Sequence, residues 1–305
     1  MSISPMSRDI VLAARRGLFI IDLESPLSVP RFLPQGGTWD VADVQWNPHV
    51  SRAEYIVSTS SEKLLIWNLN LPSSSSSHPG TTSIQHVLRA HYRAITDINW
   101  HPAPAERDLV VSTGVDAWVW AWDLRAVRGG RAVFGLSAFN SGGTQVKWNR
   151  QDPHVLASSH AGEVLIWDRR KGSLPITRLR AHRSKIYGID WSPTLRDELV
   201  TCSLDRTVKV WDVGTAADSV YNSNTPEAAT SRCREHAPEQ YTLEHTHVPR
   251  RVIRTAYPVW RARYLPFGRG VLSLPQRGAT GLGCTRLGRR PLLCCSGVVA
   301  SYWTD

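Results

Sequence analysis

The sequence has no apolar run approaching the roughly 18 residues a membrane-spanning helix needs, so no helical bilayer span is expected. Arg8, Arg15 and Arg16 interrupt the N-terminal stretch, which leaves no apolar core for a secretory signal. Cysteine is scarce. Cys202, Cys233, Cys284, Cys294 and Cys295 form an odd set without regular spacing, which argues against a disulfide framework and fits a reducing intracellular compartment. Signatures of catalysis are missing as well. The chain has no phosphate loop of the G-x-x-x-x-G-K-[ST] type and no G-x-S-x-G elbow. Gly278–Gly283 fails both the spacing and the context of a dinucleotide fingerprint. His245 and His247 have no further ligands at zinc spacing, and Cys294-Cys295 is an adjacent pair rather than C-x₂-C. These absences lead us to expect no enzyme, no catalytic residue, no cofactor, no metal and no small-molecule substrate.

What remains is ordinary globular composition with one bias. Of 305 residues, 42% are apolar and 20% charged, enough for a sizeable core, and 13 are Trp. The net charge of +10 permits attraction to acidic surfaces. The cations read as Arg scattered over turns and strand edges, where they blunt edge-to-edge pairing. With no recognition helix, zinc finger or RNA-binding sheet motif, direct nucleic-acid readout is not expected.

The tryptophans carry the organisation. Leu64–Asn68, Trp120–Asp123, Leu165–Asp168 and Lys209–Asp212 are apolar runs ending in Trp and then Asp or Asn, with Trp67, Trp122, Trp167 and Trp211 spaced by 55, 45 and 44 residues. An earlier Trp precedes each (Trp46, Trp100, Trp148, Trp191) by 21, 22, 19 and 20 residues. Two slots recurring in step at roughly 40–45 residues are the signature of WD40 propeller blades. The fold class is therefore all-β, a WD40-type β-propeller with five to six blades and a seven-bladed parent. Blades are expected near 9–40, 41–90, 91–139, 140–182 and 183–257, with a partial one over 258–275. Ile21-Asp22-Leu23 takes the Trp-Asp slot of the first blade, as though the chain began mid-blade. Ser-rich 71–83 and polar 214–250 read as loops inserted between strands. From 276 to 305 the chain is rich in Gly, Arg and Cys, with Asp305 its one acid. It reads as an aberrant or disordered tail without strand pattern, apart from an echo of a first strand at Gly297–Trp303. The sixth blade is thus half-written, as in a fragment or a product with an altered ending.

Two residue sets repeat in register. His91, Asp116 and Trp122 recur as His182, Asp205 and Trp211, with Asp six residues before Trp in both. The set resembles the buried network of WD repeats, in which the turn Asp holds a His and a Ser or Thr relays to the indole. Candidates for the relay are Ser112 or Thr113, and Thr201 or Ser203. Ser61 and Ala161 stand at the Asp slot of the second and fourth blades, which should be looser. Separately, Trp122-Asp123-Leu124-Arg125 and Trp167-Asp168-Arg169-Arg170 match W-D-x-R. This resembles the adaptor box of WD-repeat substrate receptors of cullin-RING ubiquitin ligases, with Arg125 and Arg170 as its contacts.

Trp39–Pro48, Gln145–Asn149, Ile166–Lys171, Ala181–Trp191 and above all Pro258–Phe267, which is no part of the general WD pattern, resemble the N-terminal propeller of the WD repeat-containing protein 59 family. The resemblance covers roughly residues 9–275 and points to a truncated fungal member. It implies a non-enzymatic protein-interaction scaffold of the SEA/GATOR complex, with other WD-repeat subunits of that complex as partners. It also implies a cytoplasmic place, peripheral at the vacuolar or lysosomal membrane through the complex, and a part in amino-acid-dependent regulation of target-of-rapamycin signalling. The family's RWD and zinc-binding RING-like domains are not matched by this sequence. The alternative is the ligase substrate receptor.

Overall fold

A computed structural model of the chain describes residues 1–286, apart from 38, 72–82, 127–130, 140, 215–246, 268–269 and 277–282. Its described regular structure is strands and two 3₁₀ turns. Each repeat becomes one antiparallel sheet. Sheet one holds β1 (Ser2–Ile3), β2 (Asp9–Ala14), β3 (Gly17–Asp22) and β4 (Arg31–Pro34). Sheet two holds β5 (Val44–Trp46), β6 (Tyr55–Ser60), β7 (Lys63–Asn68) and β8 (Ile84–Arg89). Sheet three runs β9 (Ile95–Trp100), β10 (Leu109–Gly114), β11 (Trp118–Asp123) and β12 (Phe134–Ser137). Sheet four runs β13 (Gly143–Trp148), β14 (Val155–His160), β15 (Glu163–Asp168) and β16 (Thr177–Arg180). Sheet five runs β17 (Ile186–Trp191), β18 (Glu198–Ser203), β19 (Thr207–Asp212) and β20 (Arg251–Arg254). Sheet six has three described strands, β21 (Val259–Tyr264), β22 (Gly270–Pro275) and β23 (Gly283–Arg286).

The six sheets are blades of a β-propeller, and their faces explain the Trp bias. Alternation turns one side of each strand toward the preceding sheet and the other toward the following one. The first-slot aromatic of a sheet packs back on the sheet before it. Trp46 joins Val11, Leu18 and Leu33 of sheet one, and Trp148 joins Val111, Val119 and Leu136 of sheet three. The second-slot Trp67, Trp122, Trp167 and Trp211 fill the same interfaces and are fully buried or nearly so. Each such ring removes roughly 200 Å² of side-chain surface from water. Five apolar clusters lie between the six successive sheets.

Sheet one departs from the sequence reading at its inner strand. The chain does not begin mid-blade: Ser2–Ile3 supplies the innermost strand, pairing Ser2 with Val11 and Ile3 with Ile10. Two residues were too few to show a pattern. The backward-facing side of this sheet carries Ile3, Ile10, Leu12, Phe19, Ile21 and Phe32 in two cross-strand rows. Ile3 and Phe32 are exposed there, because among the described residues no sheet precedes them.

The expected strandless tail also needs correction. Gly283–Arg286 is a strand on β22, with Gly270 opposite Arg286 and Ser273 opposite Gly283. Its composition carries no alternation that would reveal it, and its pairing comes from the edge β22 offers. The echo at Gly297–Trp303 and nearly all of the two expected insertions lie outside the described residues.

Side chains on the inner strands stitch one sheet to the next. At four of the five junctions the residue before the first-slot position accepts a hydrogen bond from the first-slot aromatic of the next sheet. Ser2 Oγ accepts from Trp46 N at 3.0 Å, Gln45 Oε1 from Trp100 N at 3.4 Å, Asn99 Oδ1 from Trp148 N at 2.9 Å and Asp190 Oδ2 from Tyr264 N at 2.9 Å. Sheet four has Lys147 at this place, and a lysine ammonium has no acceptor to offer. There Gln145 Oε1 takes over, accepting from Ile189 N at 2.9 Å.

Candidate functional site

Antiparallel order sorts the loops into two ends. The turn between the second and third strands of a sheet lies at the same end as the connection to the next sheet. The remaining two loops lie at the other end. His91 and His182 enter on the inter-sheet connections, and Asp116 and Asp205 sit in the turns, so each pair meets at one end of its sheet.

In sheet three, the structure brings His91, Asp116, Ser112 and Trp122 together. His91 Nδ1 lies 3.0 Å from both Asp116 oxygens and Nε2 lies 2.8 Å from Ser112 Oγ. Trp122 Nε1 donates to that Oγ at 3.1 Å. With Asp116 ionised, one assignment satisfies every atom: indole to hydroxyl, hydroxyl to imidazole, imidazole to carboxylate. Sheet five repeats it. His182 Nδ1 is 2.8 Å from Asp205 Oδ2, Nε2 is 2.7 Å from Thr201 Oγ1, and Trp211 Nε1 donates to Thr201 Oγ1 at 2.9 Å. The relays are therefore Ser112 and Thr201, not Thr113 or Ser203. Burial pushes the two carboxyls up, but hydrogen bonds from the His partners, and from Thr207 in the second case, outweigh it and hold both below the usual range. Burial pushes His182 down. Ser-His-Asp order invites a nucleophile reading. Ser112 and Thr201 are nevertheless fully buried and spend their oxygens on an indole, so neither reaches a substrate.

Sheets two and four differ through turn length. The Asp-bearing turns have three residues (115–117 and 204–206), whereas Ser61-Glu62 and Ala161-Gly162 make two-residue turns. The third residue of the longer turns, Ala117 or Arg206, has positive φ, as does the first residue of the shorter ones, Ser61 or Ala161. Equal offsets from Trp thus hid unequal hairpins. Sheet four still builds a relay. Trp167 Nε1 donates to Ser158 Oγ at 2.8 Å, His160 Nε2 is 2.9 Å from that oxygen, and His160 Nδ1 is 2.9 Å from the Ser141 carbonyl. His160, two residues after Ser158, was missed by sequence reasoning. A buried strand ending in Ser-Ser-His at a two-residue turn is the signal that could have found it.

Arg125 and Arg170 lie at the opposite end and fold back on their own motif. Arg125 donates to Asp123 at 2.7 and 3.0 Å, and Arg170 to Asp168 at 2.6 and 2.9 Å. These bonds pull both carboxyls below the usual range. The two boxes occupy neighbouring sheets and meet at Glu106, which lies 3.8 Å from Arg125 and 2.7 Å from Arg169 of the second box.

The inner strands converge on a cavity of about 440 Å3 lined by Ser2, Asp43, Gln45, Lys147, Asp190 and Arg263 among others. Lys147 Nζ sits 2.5 Å from Asp97 Oδ2 with both side chains buried. Burial pushes Asp97 up, but Lys147 and Arg261 bring it below its ordinary value. Burial and the charge of Asp97 push Asp43 up to about 6. Most of these polar groups are consumed by sheet-to-sheet bonds. Among the described residues no cluster of three or more His, Cys, Asp or Glu could hold a metal ion.

Known proteins are similar to this chain in sequence and fold. The WD domain, G-beta repeat family matches residues 173–212. The chain is 41% identical over 277 residues to Maintenance of telomere capping protein 5 of Saccharomyces cerevisiae, covering 91% of this chain and 21% of that protein. It is 34% identical over 274 residues to GATOR2 complex protein WDR59 of Homo sapiens, covering 90% and 24%. The chain is a WD-repeat propeller homologous to part of those proteins. A likeness of TM-score 0.71 to a chain in the crystal structure of the mitotic checkpoint complex covers 98% of this chain and 77% of that one. At 14% identity it speaks for the propeller fold alone. This WD-repeat chain spans about a fifth to a quarter of the length of these two curated relatives.

Proposed function

We propose that this propeller is a non-enzymatic interaction scaffold of the SEA/GATOR assembly. In this reading it is cytoplasmic, peripheral at the vacuolar or lysosomal membrane through the complex, and serves amino-acid-dependent control of target-of-rapamycin signalling. The observation that carries the reading is similarity along nine-tenths of the chain to a protein named as a GATOR2 complex component. The geometry is consistent with it. The His, Ser and Asp side chains that resemble catalytic groups are spent on holding blades, and the broad loop ends remain as the surfaces for partners.

The test is affinity capture of the tagged chain from its own cells, with bound proteins identified by mass spectrometry. Co-purification of other WD-repeat subunits of that assembly is the expected result. Recovery of a cullin-ligase adaptor in their place would overturn the scaffold reading in favour of the ligase receptor. Release of the captured subunits on starvation or refeeding would tie the chain to amino-acid supply.

A further inference from the structure

The two ends of the propeller treat charge differently. At the end bearing Arg125 and Arg170, carboxylates and cations interlock: Arg52 with Asp108, Arg169 with Glu106, Arg196 with Asp152 and Arg250 with Asp212. At the opposite end of sheet five, Arg183, Lys185, Arg206 and Arg254 are all exposed, and none has a carboxylate within 4.0 Å among the described residues. Asp205 stands in the same turn as Arg206, but His182 and Thr207 occupy its oxygens.

The loops carrying these four cations are tied side by side. Ser203 Oγ donates to the Lys185 carbonyl at 2.8 Å, Thr255 N donates to the Arg206 carbonyl at 2.9 Å, and Arg254 pairs across strands with Thr207. At the neighbouring inner-strand ends Tyr187 and Trp260 stack with ring centroids 4.5 Å apart, and Lys185 lies 5.3 Å above Tyr187. Trp260 is 41% exposed. Four cations unpaired among the described residues repel one another on one sheet end, so the patch gains most from an anionic occupant. Three of the four are Arg, whose planar fork suits carboxylates bidentately.

We propose that this end of sheet five docks a short acidic peptide segment of a partner protein, with Arg183, Lys185, Arg206 and Arg254 pairing its carboxylates and the Trp260 edge receiving one apolar side chain. The size fits. One sheet end spans a few strand spacings of about 4.8 Å, the reach of roughly four to six extended residues. A nucleic-acid strand fits less well, because it needs aromatic faces open for base stacking. Tyr187 spends its ring on Trp260 and Lys185. The site stands on the geometry of this chain, whichever assembly the propeller enters.

Fluorescence anisotropy tests it with the full chain and a labelled peptide of alternating Glu and Leu. The same titration is run with single-stranded oligouridine and with phosphatidylserine vesicles. The acidic peptide is expected to bind, more weakly as salt rises. The pair Arg183→Glu and Arg206→Glu should lower its affinity by about tenfold or more, from the loss of charge-assisted bonds and the added repulsion. Arg131→Glu, an exposed cation at the other end, changes charge alone and should have little effect. The milder pair Arg183→Gln and Arg254→Gln, with unfolding midpoints, separates lost binding from lost folding. Equal losses with Arg131→Glu would reduce the effect to diffuse attraction and overturn the site. So would tighter, patch-dependent binding of the oligonucleotide or the vesicles, or no binding of the peptide.

Discussion

Sheets three and five build the indole relay with a His delivered from the preceding connection and an Asp to hold it. Sheet four builds it with neither. The hydroxyl stays at the same register (Ser112, Thr201 and Ser158), and an imidazole nitrogen stays within 2.9 Å of it. What changes is the anchor: an ionised carboxylate in two sheets, the Ser141 carbonyl in the other. These three sheets share a buried hydroxyl bonded on both sides, and the Asp is one of two ways to hold its imidazole; in sheet two Ser58 Oγ accepts from Trp67 Nε1 at 2.9 Å with no imidazole beside it among the described residues. Neither sheet two nor sheet four needs a turn Asp, and both close in two residues, Ser61-Glu62 and Ala161-Gly162.

The same contrast between ionic and neutral solutions reaches the inner strands, and there the largest effect is expected. Asp97 in sheet three pairs with buried Lys147, while the corresponding Gln145 of sheet four offers a neutral amide to Asp97 and Ile189. Asp97→Ala would strand a buried ammonium and should cost about 3–5 kcal/mol. Gln145→Ala should cost about 1–3 kcal/mol, the loss from leaving neutral buried partners unmet. Denaturant midpoints measure both. A Gln145 variant as damaged as the Asp97 variant would show that ionisation matters less here than shape.

Next in size, Asp205→Ala should cost about 1–3 kcal/mol by leaving His182 and the turn amide unpaired. Ser61→Ala, in a two-residue turn, should stay within about 0.5 kcal/mol. Equal unfolding midpoints for the two variants would sink the assignment of Asp205 as an anchor.

A smaller, pH-dependent effect sharpens the contrast. Burial lowers His101, His160 and His182 below their ordinary value of about 6.5. In each case the unfolded chain takes up the proton first as pH falls. Stability is therefore full above about pH 6.5 and declines below it, toward the depressed folded values. Asp205 partly offsets burial at His182, whereas His160 has only the Ser141 carbonyl. His160→Asn should accordingly flatten the decline of the thermal midpoint between about pH 7 and 5 more than it shifts the neutral value. Raised Asp43 works the other way, favouring the fold at low pH, so Asp43→Asn should steepen the decline, and a shallower slope in that variant would take the decline away from histidine.

The repeat was legible because two aromatic slots must face the same kind of apolar wedge in every blade, and nothing smaller than Trp fills it as well. That fixed sheets two to five, and Tyr264-Leu265-Pro266 extended the reading to sheet six. The outer strands β4, β8, β12, β16 and β20 did not stand out, being mostly short, polar and half-exposed. Turn length was invisible to an offset count, so Ser61 and Ala161 looked like substituted aspartates when they belong to shorter hairpins. The hydrogen bonds accepted by Ser2, Gln45, Asn99 and Asp190 had no sequence signature. Different residue types meet the same backbone amide, and only the register shows that they share a place.

The smallest expected effect concerns the two W-D-x-R boxes. Arg125 and Arg170 are about half exposed and clamp a carboxylate two residues away in their own turn. Solvent screens such local pairs, and the turns keep their backbone bonds from Arg125 N and Arg170 N to the Asp side chains when the guanidinium is lost. Arg125→Ala and Arg170→Ala, alone or together, should leave the unfolding midpoint and the recovery of WD-repeat subunits unchanged. A cullin-ligase adaptor that co-purifies with the wild type and vanishes with the double variant would show the opposite: the guanidiniums leave their own carboxylates for a partner, and these turns serve recognition rather than local geometry.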